Sequence, residues 1–398
     1  MFDGIHAENT DDSSKGFVYL VGGTFDIASQ QDGISASAWL QADDGTYTIL
    51  TGASGASVQN GGEEMPMEPA SQKETDTTSI KGMKASVQLV LKGGTYTVDA
   101  EDDAFHSNGN LAVSGGTYTL SSGDDGIHAD SNVTISGGKI DIMKSYEGLE
   151  GLSIDITDGE TTVLASDDGL NAAGGNDSSG FEGPGAGGDQ FAATEGAYIQ
   201  ISGGVLRVNA SGDGIDSNGD LTVSGGKTYL SGPVNSGNGI LDYNGSAVVT
   251  GGIFAASGSS GMAQNFDSSS TQGGMMMNVG EQEEGSELAL LDSSGTKLIS
   301  WTAEKAYSSM IVSCPAIKEG ETYTIKAGTT EQSITMDSLV YGSDSQARGN
   351  PRNGESGKGD RKEGGMKGGQ GERQAPENME KPQGNTPLDV PEDNENTN

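Results

Sequence analysis

The sequence predicts an all-β fold: a parallel β-helix of about 22 residues per coil, then a small C-terminal β-module and a disordered tail. Three observations predict it. A Gly-Gly pair recurs at a near-fixed interval, apolar residues alternate on either side of it, and an acidic residue follows six of the registered positions at a constant offset of ten.

The stretches "LKGGTYTV", "VSGGTYTL" and "ISGGKIDI" begin their pairs at Gly93, Gly115 and Gly137, 22 residues apart. "ITDGETTV" follows at Asp158 after 21, "ISGGVLRV" and "VSGGKTYL" begin at Gly203 and Gly225, and "VTGGIFAA" begins at Gly251 after 26. An earlier copy sits at Gly22, and a degenerate one carries Asp44-Gly45 in place of the glycines. Within a copy, Leu111 and Val113, then Tyr118 and Leu120, alternate as strand residues do. The glycines and the Asp-Gly pairs supply the corners between strands. Strand and corner repeated in this way describe one coil of a solenoid, in which equivalent residues stack roughly 4.8 Å apart into columns. Phe25, Tyr96, Tyr118, Ile140, Leu206 and Phe254 form one such column, read as core packing and not as a sugar platform.

The solenoid is expected over residues 1–283. Two segments without apolar periodicity interrupt it, a polar acidic one at 54–80 and a Gly-rich one at 174–196, and both read as loops. Residues 284–342 change character: "ELALLDSSGTKLISW" and "ETYTIKAG" suggest a β-module that covers the edge of the last coil and packs Trp301. Residues 343–398 are rich in Gly, Arg, Lys, Glu and Pro, and disorder is expected there.

Net charge is −37. Of the 21 Lys/Arg and 58 Asp/Glu, 8 and 11 lie in residues 344–398, which leaves 13 and 47 for residues 1–343. The acidity therefore belongs to the body of the protein. Such a surface repels nucleic acid and anionic membranes and attracts cations. No apolar run approaches the roughly 20 residues of a membrane span, so no membrane insertion is expected. Cys314 is the single cysteine, which excludes an internal disulfide and a cysteine zinc site. The opening "MFDGIHAEN" copies the internal "DDGIHADSN", so the start reads as cut into a repeat, with any signal peptide missing. A monomer is expected.

Two columns carry the candidate chemistry. The corner column reads Asp3, Asp32, Lys81, Asp103, Asp125, Glu147, Asp168 and Asp213. Three positions on, the residues are His6, Ser35, Lys84, His106, His128, Glu150, Asn171 and Asp216, and every histidine of the chain is among them. Two carboxylates about 5 Å apart repel by roughly 1 kcal/mol at the dielectric of water and roughly 3–4 at an effective value of 20. Asp102, Asp124 and Asp167 add to that repulsion. A divalent cation removes it, and oxygen ligands on turns suit Ca2+ better than zinc or a redox metal. The competing reading is turn chemistry, in which Asp side chains cap backbone groups. That reading accounts for Asp but not for Glu147. The expected ligands are Asp102, Asp103, Asp124, Asp125, Glu147, Glu150, Asp167, Asp168 and Asp213. His106, His128, Tyr146 and Asn171 are the candidate carbohydrate contacts. A histidine zinc site is disfavoured, because the coils of Ser35 and Lys84 separate His6 from His106.

The motifs "GDDGIHADSNVTISGG", "KSYEGLEG" and "ASDDGLNAAGGNDSSG" resemble the carbohydrate-binding β-helix family of clostridial and related Gram-positive bacteria, over roughly residues 1–343. The resemblance implies a right-handed parallel β-helix of polysaccharide-lyase type, extracellular or at the cell surface. It also implies binding of Ca2+ and of plant or cell-wall polysaccharide, without known cleavage. On that resemblance, Asp125, Glu147, Asp168 and their neighbours bind calcium. The coil bearing Lys81 and Lys84 departs from the acidic pattern.

Three function classes follow. A polysaccharide binder is the first. A calcium-dependent lyase acting on uronate polymers would need a basic residue near the acidic edge, for which Lys144, three residues before Glu147, is the candidate. A surface spacer or adhesin needs only the repeats and the acidity. No nucleophile motif, phosphate loop or basic patch is present.

Overall fold

The computed structural model describes residues 3–9, 11–12, 14–52, 79–172 and 193–342. Among these no helix occurs; the elements are strands joined by turns and bends. The segments expected as loops at 54–80 and 174–196 fall almost wholly outside the described residues, and the tail 343–398 lies outside them entirely.

From Ile5 to Gly258, every strand pairs in parallel with strands of the neighbouring sequence repeat. Leu111 sits opposite Leu89 on one side and Val133 on the other, 22 residues away in each direction. One repeat supplies three strand segments. Phe105–Ser107 is the first, and Asn110–Ser122 bends at its glycine pair to serve as the other two. The first half of Asn110–Ser122 pairs with Gln88–Leu91 and the second half with Thr95–Ala100.

The bend explains the glycines. Gly116 has φ +96°, a left-handed conformation that side chains rarely adopt. A Cβ on Gly115 would lie 2.5 Å from the Lys92 carbonyl oxygen of the preceding repeat. One glycine of the pair thus turns the chain, and the other lets neighbouring strands approach.

Inward residues of the repeats merge into one core. Tyr47, Tyr96 and Tyr118 are buried and stacked, with ring centroids 4.4 and 4.7 Å apart, and Phe25 stacks on Tyr47 at 4.9 Å. The column continues through Ile140, Thr161, Leu206, Thr228 and Phe254. The core reading of this column holds, and Tyr47 of the degenerate copy belongs to it as well.

The parallel series ends at Ile253–Gly258. Tyr307–Ser313 pairs antiparallel with that strand and with Gly274–Gln282, so the sheet is mixed and mostly parallel. An edge that would otherwise recruit another chain is thereby paired. Glu287–Leu291, Lys297–Thr302, Thr322–Ala327 and Thr330–Thr335 form a separate four-stranded antiparallel sheet. Its core includes Leu288, Leu290, Tyr323 and Ile325, with Trp301 packed against it.

Candidate functional site

Parallel pairing aligns the second candidate column across nine repeats: His6, Ser35, Lys84, His106, His128, Glu150, Asn171, Asp216 and Asp242. The corner residues lie three positions earlier in each repeat, where the chain turns into these short strands.

One oxygen of the corner aspartate has the same task in several repeats. Asp32 Oδ1 accepts a hydrogen bond from the Lys81 amide at 2.8 Å, Asp103 Oδ1 from the Asp125 amide at 3.0 Å, and Asp168 Oδ1 from the Asp213 amide at 2.6 Å. Asp213 Oδ1 likewise accepts from the Gly239 amide. Each aspartate thus ties the backbone corner of the next repeat, which satisfies a donor that the turn leaves unpaired. At Asp125 the ladder is interrupted: its Oδ1 is buried and has no partner.

The second oxygen distinguishes one part of the column from another. His6 Nδ1 lies 2.7 Å from Asp3 Oδ2, His106 Nδ1 2.8 Å from Asp103 Oδ2, and His128 Nδ1 3.0 Å from Asp125 Oδ2. The spacing D-x-x-H therefore builds an aspartate–histidine pair inside one repeat. Lys81, itself a corner residue, places Nζ 2.6 Å from Asp103 Oδ2 and 3.0 Å from Asp102 Oδ2. Burial pushes the Asp103 carboxyl up, but the His106 hydrogen bond and the Lys81 charge outweigh it and hold the group well below the usual carboxylate range. His106 is held below its ordinary value by burial and by Lys81, against the raising effect of its hydrogen bond to Asp103.

His128 is the cation of the next repeat. Its Nδ1 also lies 2.6 Å from Glu150 Oε2, and its Nε2 lies 3.2 Å from Asp130 Oδ1. Burial disfavours the imidazolium, but hydrogen bonds to Asp125, Asp130 and Glu150 raise its pKa far above the ordinary histidine value. The His106 and His128 rings stack at 4.8 Å with planes 12° apart.

Beyond Glu147 the column contains only oxygen ligands. Glu147 Oε2 accepts from Asn171 Nδ2 at 2.7 Å. Asp168, Asp213 and Asp216 each bring a carboxylate oxygen to within 4.8 Å of the others. Among the described residues no lysine, arginine or histidine pairs with these three. Burial first, and then neighbouring carboxylates, push them up: Asp168 to about 9 with repulsion from Asp213 and Asp216, Asp213 to about 7 with repulsion from Asp242 and Asp167, and Asp216 to about 8 with repulsion from Asp213 and Asp242. Burial and Glu150 likewise push Glu147 up to about 8. The Tyr146 hydroxyl hydrogen-bonds to Asp167 and is raised by that bond and by burial.

A hard divalent cation takes six to eight oxygen ligands. The Asp168–Asp213–Asp216 group suits such an ion in ligand type: it is all oxygen, four of its six carboxylate oxygens are not engaged by backbone, and no lysine, arginine or histidine among the described residues pairs with it. The Asp102–Asp103–Asp124 group fits poorly, because Lys81 already occupies it. The Asp125–Glu150 group is organised around the His128 nitrogen and is a nitrogen–oxygen set instead of a calcium cage.

The expected ligands are thus distributed over three environments. Asp102, Asp103 and Asp124 lie near Lys81, Asp125 and Glu150 on His128, and Glu147, Asp167, Asp168 and Asp213 in the region without a cation. Of the expected glycan contacts, His106, His128 and Asn171 are buried, whereas Tyr146 is partly open to solvent. Lys144 is exposed on Ile127–Ser145. Sequence reasoning omitted Asp216 from the ligand set and overlooked Lys81 as an internal counter-ion. Column position was the available signal for both: Asp216 stands where other repeats carry histidine, and Lys81 where they carry acid.

Residues 2–126 match the model of a family described as carbohydrate-binding domain-containing protein. Comparison with curated proteins and with solved structures gives no match.

Proposed function

We propose that this chain is an extracellular polysaccharide-binding protein that is assisted by calcium and does not cleave its ligand. In this reading the parallel strands wind as a right-handed β-helix, with the 284–342 region as its cap. The observation that carries it is the Asp168–Asp213–Asp216 group, three converging carboxylates with raised pKa values and no cationic partner among the described residues. The family match over residues 2–126 supports glycan binding independently.

Asp168, Asp213 and Asp216 would hold the ion, with Asp167 and Glu147 adding negative charge around it. Bound there, calcium would bridge these carboxylates to those of an acidic glycan such as pectate, which the chain's own charge would otherwise repel. The two lysines within the acidic columns have other engagements, which favours binding over a lyase reaction there. Lys81 is held by Asp102 and Asp103, and Lys84 Nζ donates to Ser79 Oγ at 3.0 Å. Native gels cast with polygalacturonate test the reading. Retardation with calcium that disappears with chelator is expected. Mobility unaffected by calcium, or release of unsaturated uronides, would contradict it.

A further inference from the structure

A second face of the molecule has a different character. On Val18–Leu20 and Trp39–Ala42, alternation sends Val18 and Leu40 into the core and leaves Phe17, Tyr19 and Trp39 on the outer side. Phe17 and Trp39 stack at 4.6 Å with planes 6° apart, yet Phe17 and Tyr19 each remain 49% exposed. Clustered exposed aromatic surface of this kind marks an interaction site more often than single exposed residues do.

The polar groups around the rings are held in place. The Tyr19 hydroxyl donates to Asp43 Oδ2, Gln41 Nε2 donates to Asp43 Oδ1 at 2.7 Å, and Lys92 Nζ lies 3.2 Å from Asp43 Oδ1. The patch therefore carries no net charge. Pairing then extends the Trp39 position through Gln88 to Asn110, and further on from Asn132 through Ser153 to Tyr198. Tyr198 is 36% exposed and donates to Asp155 Oδ2 at 2.9 Å. Five strand steps separate Trp39 from Tyr198, about 24 Å at parallel-sheet spacing.

We propose that this strip, with Tyr19 and Trp39 at one end, Gln88 and Asn110 in the middle and Tyr198 at the other, binds an extended, uncharged polysaccharide without calcium. The inference rests on the glycan-binding reading above and gives it a second site. Charge complementarity selects the occupant. Every residue of the column from Trp39 to Tyr198 is neutral, and the charges nearest that end are acidic, Asp155 beside Tyr198 and Asp220 as the next residue of the column, so in a chain of net charge −37 an anionic glycan gains no ion pair here and meets repulsion. Aromatic rings present apolar surface to the C–H faces of sugar rings, and side-chain amides both donate to and accept from hydroxyls. The aromatic end and the amides to Asn110 also fall within the residues matched by the carbohydrate-binding family model.

Gels cast with hydroxyethyl cellulose, a soluble neutral glucan, and run in chelator test the proposal. Retardation of the full chain is expected, weakened at least tenfold by Trp39→Ala and by Tyr19→Ser, and unchanged by Thr97→Ala on a different exposed strand face. If Trp39→Ala unfolds the chain, Gln88→Ala at its exposed position is expected to weaken retardation with an unchanged melting temperature. Full retardation of the Tyr19→Ser and Gln88→Ala variants would overturn the proposal. So would a dimer, detected by light scattering and reversed by Tyr19→Ser, because the strip would then be covered by a second copy. Retardation by polygalacturonate with calcium but none by the neutral glucan would overturn this site alone. No retardation in any gel would overturn the glycan-binding reading as well.

Discussion

The Asp103 repeat and the Asp213 repeat share the same backbone device. In both, Oδ1 of the corner aspartate accepts the amide of the following repeat. They differ in what faces the remaining oxygen. At Asp103 it is Lys81 and His106, both buried. Around Asp213 it is Asp168 and Asp216, with no cation among the described residues. One column thus carries its buried acids in two ways, balanced by cationic and hydrogen-bonding side chains of its own at one end and without a cationic partner among the described residues at the other. The lesson is that a recurring aspartate does not by itself identify a metal site. Turn chemistry explains why the residue recurs, and the partner of its second oxygen decides whether an ion is required.

The comparison is broken most strongly by removing the internal cation. Lys81→Ala leaves buried Asp103 beside Asp102 with only the His106 and Asp125 hydrogen bonds, and the loss of a buried ionic partner costs about 3–5 kcal/mol. Denaturant unfolding is expected to show a fall of that size; an unchanged midpoint would mean that His106 suffices. At the other end, calcium in hundredfold excess over its dissociation constant is expected to stabilise the chain by about 2.7 kcal/mol. Thermal unfolding with calcium and with chelator measures that difference, which Asp213→Asn combined with Asp216→Asn should remove.

Acidity sharpens the contrast further. The folded-state pKa values of Asp168, Asp213 and Asp216 lie at about 9, 7 and 8, above those of unfolded carboxylates. The folded state therefore binds more protons between the two ranges, and stability falls as pH rises. In chelator the melting temperature is expected to decline from pH 5 to pH 9, and calcium should flatten the decline. Asp103 is shifted the opposite way, so its contribution is present above the unfolded carboxylate range and is lost only in strong acid. The smallest effect is that of neutralising a single charge. At pH 9 to 10, where these carboxyls ionise, Asp216→Asn is expected to stabilise the metal-free chain by at least about 1 kcal/mol, the repulsion of one neighbouring charge in a water-like medium. Asp103→Asn should destabilise it instead. Equal signs for the two substitutions in urea titrations would remove the distinction between the ends.

The register of the strands was legible because Gly-Gly spacing and alternation are local signals, and a one-residue slip would turn every core side chain outward. The core column from Tyr96 to Phe254 was legible for the same reason. The division of the acidic column was not. Lys81 is one substitution in a list of corner residues, and only the distances to Asp102 and Asp103 show it acting as a counter-ion. His128 reads in sequence as a surface contact. Its burial depends on Glu150 and Asp130, which the register and the chain bend bring to its two nitrogens. Tyr19 and Trp39 escaped notice because the alternating pattern identifies which residues face outward but not how much of each stays exposed.

Calorimetric titration of calcium into the chelator-stripped chain tests the central claim most directly. The account predicts a binding isotherm for the wild type, none for Asp213→Asn combined with Asp216→Asn, and an unaltered one for Asp102→Asn. An isotherm that survives the first pair of substitutions and vanishes in Asp102→Asn would place the ion at the Lys81 end and contradict it.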